Sequence, residues 1–198
     1  YIAFGDHDDL FEPDALFECV RALNGTERPE LIYTDEDKTD EKGRRFFEPQ
    51  MKPGFNIDLL RTVNYICHLC VIKKSLLDEI GYLNSEYEGA QDYDLVLRAV
   101  EKTDRIHHIQ RVLYKWRAHK SSTAENPESK KYAFDAGRRA IQSHFDRLGI
   151  KAEVFDGEWS GLYRTKYIRE YDPLVSILIP NKDHTDDLSR CIDSIKEK

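Results

Sequence analysis

The chain has 198 residues, 40% of them hydrophobic and 34% charged, with a formal net charge of -7. That length suits one ordinary domain, or one domain plus part of another, around a real core. The acidic balance leaves no electrostatic footprint for DNA or RNA and disfavours a constitutively bound anionic membrane surface, and no apolar run approaches the roughly 20 residues that span a bilayer.

In chain order, Tyr1 to Gly5 reads as a buried strand feeding an acidic loop, Asp6-His7-Asp8-Asp9. Pro13 sits near the first turn of a helix whose apolar side is Leu16, Val20 and Leu23, and Asn24-Gly25 stops it. Leu31 to Thr34 is the next strand. Asp35 to Arg45 reads as a charged loop with Gly43 at its tip. Phe46 to Asn64 is a long irregular connection with one short helix near Ile57 to Arg61, and loops of that length are often functional. Ile66 to Ile72 is a strand, Ser75 caps a helix that ends at Gly81, and Asp92 to Thr103 is a stronger helix. Val112 to Trp116 is another strand. Pro127 to Gly149 carries the clearest helical period, through Ala133, Ala136, Ala140, Ile141, Phe145 and Leu148. Short strands follow near Ala152 to Phe155 and Gly161 to Ile168.

The texture then changes. Tyr171-Asp172-Pro173 is a turn or linker, Leu174 to Ile179 is a continuous apolar strand, and Leu188 to Lys198 starts a helix. This reads as the opening of a new α/β domain. The expected division is 1–150, a linker with short strands at 151–173, and 174–198. The four cysteines include Cys67 and Cys70 at half a zinc-knuckle spacing, but no second pair exists. Buried free thiols in a reducing cytoplasm are the better reading.

Four groups of residues carry candidate chemistry. Asp6 and Asp8, one residue apart at a strand's carboxyl end, can converge on a hard divalent cation. The alternative is an acidic turn. Asp92, at a helix start, is either a capping carboxylate or a general base, while Asp94 braces the loop or pairs with Arg98. Trp116-Arg117-Ala118-His119 leaves a strand, where His119 can complete a metal shell. Asp35-Glu36-Asp37 is a solvated charged turn or a sugar- or metal-facing loop. The adjacent His107 and His108 would face opposite ways on a strand and chelate poorly. Phosphate-loop, dinucleotide and nucleophile-elbow patterns are absent.

Joint order makes these motifs more specific than any one alone. Ala-Phe-x-Asp-His-Asp-Asp-Leu, Pro-Asp-Ala-Leu, Ile-Tyr-Thr-Asp-Glu-Asp, Lys-Pro, Asn-Tyr-Ile, Gln-Asp-Tyr-Asp-Leu-Val-Leu-Arg and Leu-Tyr-Lys-Trp-Arg-Ala-His follow one another over roughly residues 1 to 145. Together they resemble bacterial glycosyltransferase family 2. The resemblance implies part of a GT-A fold, a Rossmann-like α/β mixed sheet flanked by helices. It implies Asp6 and Asp8 as ligands of Mn²⁺ or Mg²⁺, with His119 as a late metal contact. Asp6, Asp8, Asp9 and Arg117 would face the donor diphosphate, and Asp92 would be the base of an inverting transfer. Asp35, Glu36, Asp37, Gln91, Asp94 and Trp116 are acceptor-side candidates. The implied partners are a nucleotide-sugar donor and a glycan or lipid-linked acceptor, at a site in the cytoplasm or on the inner face of the membrane.

Two departures stand out. Gly5 replaces a larger apolar residue, and Gln91 replaces a frequent Glu. Family members also open with a Val-Ser-Ile-Ile-Pro strand and a nucleotide-binding half, and Leu174 to Pro180 resembles that opening strand. The expectation is a tandem glycosyltransferase of which this chain holds the metal and acceptor half of one copy and the start of the next, inactive by itself. Its terminal strand would fill the vacant sheet position in this chain or a neighbour, and an open sheet edge could pair with itself. A non-catalytic carbohydrate-binding or scaffold module, and a metal-dependent nucleotidyl- or phosphotransferase, are the alternatives.

Overall fold

A computed structural model describes residues 1–118 and 131–197. The chain divides into two units, Tyr1–Ile168 and Arg169–Lys198. In the first unit the strands are β1 (Ile2–Phe4), β2 (Leu10–Phe11), β3 (Leu31–Thr39), β4 (Phe46–Gln50), β5 (Cys70–Ile72) and β6 (Ile106–Arg117). They form one mixed sheet in the order β1-β5-β3-β6-β2, with β4 also paired to β3. β3 runs parallel to β6 and antiparallel to β5, and β5 runs antiparallel to β1. β1, β3 and β6 therefore share a direction, and their carboxyl ends meet at one edge of the sheet.

Alternation along the strands fills both faces. Leu31 and Tyr33 of β3 join the core with α3 (Lys74–Ile80), α4 (Gln91–Val100) and α5 (Lys131–Leu148), while Ile32 joins a second core with α1 (Ala15–Leu23). Helices on both faces of a mixed sheet are in keeping with a Rossmann-like α/β fold. A short helix, α2 (Ile57–Leu60), lies in the long connection, as expected there. A second sheet is the hairpin of β7 (Ala152–Asp156) and β8 (Tyr163–Tyr167).

Several boundaries differ from the sequence reading. β1 is a half-exposed edge strand, not a buried one. The helix α1 buries Ala15, Glu18 and Cys19 and leaves Leu16, Phe17 and Val20 exposed. Glu18 tolerates burial because it pairs with Arg21 and with Arg111, the latter at 2.6 Å. Asp35 to Thr39 continues β3, so the charged loop is only the turn at Asp40 to Arg45. The expected strand from Ile66 shortens to Cys70–Ile72.

In the second unit, α6 (Thr185–Lys196) forms as expected, with Asp186 and Asp187 in its first turn. Leu174 to Ile179 forms no strand, and Leu174 and Leu178 are almost fully exposed. A strand needs a neighbour for its backbone N–H and C=O groups, and this unit holds no second strand.

Candidate active site

The carboxyl edge of the sheet gathers the acidic loop after β1. Asp9 fixes that loop: it accepts from the Tyr114 hydroxyl at 2.5 Å and from the Arg117 backbone N–H at 2.7 Å. Burial, aided by the charge of Asp6, pushes the Asp9 carboxyl above its ordinary range, against the two hydrogen bonds. Arg117 also donates through Nε to the Asp8 carbonyl, and its Nη1 reaches the Glu41 carbonyl at 2.6 Å. The Asp6 backbone N–H donates to the Tyr114 oxygen at 2.9 Å. Gly5 has a local reason. A Cβ there would stand 2.7 Å from the Phe11 ring, so the small residue lets Phe11 pack edge-on to Tyr114.

The Asp6 carboxylate is 58% exposed and that of Asp8 39%, whereas Asp9 is turned into the protein by its two hydrogen bonds. His68, which the sequence reading did not single out, stands 3.7 Å from Asp6 and lies against the Tyr114 ring. It belongs to the segment Asn64 to His68, whose backbone is tied down by Lys52. The buried Lys52 ammonium donates to the carbonyls of Ile66 and His68 and to Glu36, the last at 3.1 Å. Glu36 in turn accepts from the His68 backbone N–H.

The far end of the same segment meets Asp92. Asn64 Nδ2 donates to Asp92 Oδ2 at 2.9 Å and to Cys67 Sγ at 3.2 Å. Ala90 is the N-cap of α4, and no side chain caps that terminus. The capping reading of Asp92 therefore fails: the carboxylate turns to Asn64, although the helix dipole still favours its charge. Burial, then the charge of Asp92, pushes the Cys67 thiol well above its ordinary range, which keeps it inert. Asn64 to His68 thus links Asp6 to Asp92, two groups 86 positions apart (92 minus 6).

The remaining candidates lie as follows. Asp35 is buried on β3, accepting from the Lys52 backbone N–H and hydrogen-bonded to His108 Nε2, each at 2.8 Å. Glu36 is buried with Lys52. Asp37 pairs with Lys115 at 3.1 Å. None of the three is the solvated turn read from sequence, because neighbouring cations and donors make burial tolerable. Gln91 Oε1 accepts from the Gly89 N–H at 2.9 Å. Asp94 is buried and pairs with Arg98 at 2.6 Å, the expected helical partner. Trp116 is half-buried, with the Lys38 ammonium 5.8 Å from its ring centre. His107 and His108 face opposite ways as expected, toward Glu27 and Asp35. His119 lies outside the described residues. Among the described residues, no group of three or more His, Cys, Asp or Glu side chains could hold a metal ion.

The chain is 36% identical over 195 residues to the O-antigen biosynthesis protein RfbC of Myxococcus xanthus, covering 98% of this chain and 15% of that protein. Over 127 residues it is 31% identical to an uncharacterised glycosyltransferase of Rickettsia felis, covering 60% of this chain and 21% of the relative. The chain is similar to proteins named as glycosyltransferases. An uncharacterised protein of Sinorhizobium fredii, y4gI, matches at 44% identity over 198 residues, 98% of this chain and 22% of its own length. The hyaluronan synthase of Pasteurella multocida matches at 25% over 195 residues, 92% of this chain and 19% of the synthase. The chain thus spans less than a quarter of each of these relatives. No protein-family model matches it. Among the described residues, no helix is long and apolar enough to cross a membrane.

Proposed function

We propose that this chain forms the metal and acceptor side of a family 2 glycosyltransferase of GT-A fold, which transfers a sugar from a nucleotide diphosphate to a glycan or lipid-linked acceptor. One observation carries the reading. The Asp6–Asp9 loop and Asp92 are joined through Asn64 to His68 at the carboxyl edge of a mixed sheet, where such sheets place ligands. Relatives named for O-antigen biosynthesis and hyaluronan synthesis support the substrate class.

In this reading Asp92 takes the proton from the attacking acceptor hydroxyl, and Asn64 holds its carboxylate in place. The acceptor atom of that amide, Asn64 Oδ1, is buried without a hydrogen-bond partner among the described residues, so the amide is oriented through its Nδ2, by Asp92 and Cys67. Direct displacement at the anomeric carbon inverts its configuration. Asp6 and Asp8, exposed hard oxygen donors on one loop, fit Mn²⁺ or Mg²⁺ held jointly with the donor diphosphate. When bound, such a cation neutralises the charge on the departing nucleotide diphosphate. Asp9 and Arg117 hold the loop that presents them.

The test uses the full-length protein with a panel of nucleotide sugars and Mn²⁺ or Mg²⁺, following nucleotide diphosphate release with acceptor present. Asp92→Asn should lower kcat by about 10²- to 10⁴-fold, the usual range for a lost general base. Asp8→Asn should weaken metal dependence as well. Wild-type turnover in both variants would sink the reading, and transfer of phosphate or nucleotide instead of sugar would replace it.

A further inference from the structure

A second concave site lies on the hairpin β7–β8, away from the acidic loop. The turn Gly157 to Leu162 and the start of α5 border a half-open hollow of about 230 Å³ lined by Lys131, Phe134, Asp135, Asp156, Glu158 and Trp159. That is below the roughly 300–1,000 Å³ of pockets for drug-sized ligands and suits a single ring. Trp159 is 71% exposed beside it. A Trp left in water presents a flat apolar face with one polar N–H, the kind of surface that proteins use for recognition.

The turn is held in shape. Leu162 N–H donates to the Trp159 carbonyl at 3.0 Å, and Gly157 N–H to the Leu162 carbonyl at 2.8 Å. The Tyr163 hydroxyl anchors the hairpin on α5 by donating to the Phe134 carbonyl at 3.0 Å. Gly137 makes that approach possible, since a Cβ there would stand 2.1 Å from the Tyr163 oxygen. Charge limits what can enter. Three carboxylates, Asp135, Asp156 and Glu158, face two cations, Lys131 and Arg138, with Arg138 within 3.6 Å of both Asp135 and Asp156. A phosphate or uronate would meet net repulsion, whereas an uncharged sugar would find hydroxyl acceptors around an aromatic face.

The site lies on the other side of the α5 start from the loop that carries Asp92. Tyr132 and Ala133 of α5 pack against Gly89 so closely that a Cβ there would stand within 3.0 Å of them, and Gly89 is bonded to Gln91 beside Asp92. On the other side, the Tyr163 ring centre lies 6.1 Å from that of Tyr93. The start of α5 therefore separates the Asp92 loop from the hairpin hollow by the width of one helix.

We propose that the β7–β8 turn and the start of α5 form a subsite for an uncharged sugar unit of the acceptor, stacked on Trp159. As an acceptor subsite it rests on the transferase reading above. The chain has two tryptophans, Trp116 and Trp159, so Trp116→Phe leaves Trp159 as its only indole reporter. Emission of that variant is titrated with trisaccharides of glucose, galactose, mannose and N-acetylglucosamine, and with glucuronate and glucose 1-phosphate. A saturable shift with a neutral saccharide and none with the charged probes is expected. In the full-length enzyme, Trp159→Ala should raise the acceptor KM about 10-fold or more, leaving kcat and acceptor-free donor hydrolysis unchanged, with Trp159→Phe restoring most of the loss. No shift with any neutral saccharide, equal response to the charged probes, or an unchanged acceptor KM would each overturn the proposal. Absent diphosphate release in wild type would instead overturn the transferase reading, and the titration would still decide whether the sugar site exists.

Discussion

Replacing Lys52 by Met tests what holds the Asn64–His68 segment at the sheet edge. The Lys52 ammonium and the Glu36 carboxylate are both nearly inaccessible and lie 3.1 Å apart. At that distance and an effective dielectric of about 20, their attraction is about 5 kcal/mol, most of it offset by the cost of taking two charges out of water. Met keeps the volume and removes the cation. Glu36 would then be stranded, and the Ile66 and His68 carbonyls would lose a charged donor. Removing one partner of a buried pair costs about 3–5 kcal/mol, so Lys52→Met should destabilise by about that amount. Adding Glu36→Gln removes the stranded charge while its amide oxygen still accepts from the His68 N–H. The double variant should lie within about 1–2 kcal/mol of wild type. Urea unfolding, with the midpoint read at constant slope, measures both. A single variant that loses under about 1 kcal/mol, or a double variant no better than the single, would refute the account of Lys52 as the tie between β3 and this segment.

Two further outcomes follow from the packing. Glu30 is drawn from 4.5 down to about 2, first by its hydrogen bond to Lys73 and then by Thr103 and Arg105, against its burial. A depressed carboxyl stabilises the fold above its unfolded value and loses that as pH falls, so the gap between wild type and Glu30→Gln should be full above pH 4.5 and close toward pH 2 in urea titrations. Gly137→Ala forces a methyl onto the Tyr163 hydroxyl and should cost about 1–3 kcal/mol; Tyr163→Phe in the same background should not relieve it fully, because a ring carbon also stands 2.9 Å away.

Helical periods were legible where apolar residues repeat on one face, as in α5 and α4, whereas strand ends were not: β3 and β6 run longer than their apolar stretches and β5 shorter. The register of charge was not legible either. Asp35 and Glu36 look like a solvated turn because their partners, Lys52, His68 and His108, come from distant segments that no local pattern announces. The buried face of α1 was misread for the same reason, since Arg111 of β6 makes Glu18 an inward residue. His68 and Asn64 carry no spacing motif of their own. Lys-Pro and Asn-Tyr-Ile marked their neighbourhood as a resemblance, but only the fold brings Lys52 and Asn64 to opposite ends of one segment. Leu174 to Ile179 shows the converse: strand-like composition specifies a strand only where another strand is beside it.

The division of labour between Asp92 and Asp94 follows from their separation by two residues on one helix. Such a spacing turns the side chains to different sides of α4. Asp94 points inward and pairs with Arg98, which also donates to the carbonyls of Ile80, Gly81 and Tyr82. That network fixes α4 to the end of α3, where Gly81 terminates the helix at φ 83°. Arg98 is therefore a cross-brace, and Asp94 serves by holding it. With α4 anchored through Asp94, the Asp92 carboxylate takes the Asn64 amide and so ties the Asn64–His68 segment to the start of α4. Half-buried at the helix start, the Asp92 carboxylate is met by the Asn64 amide and lies beside the Cys67 thiol, the arrangement on which the proposed base role rests and which Asp92→Asn tests.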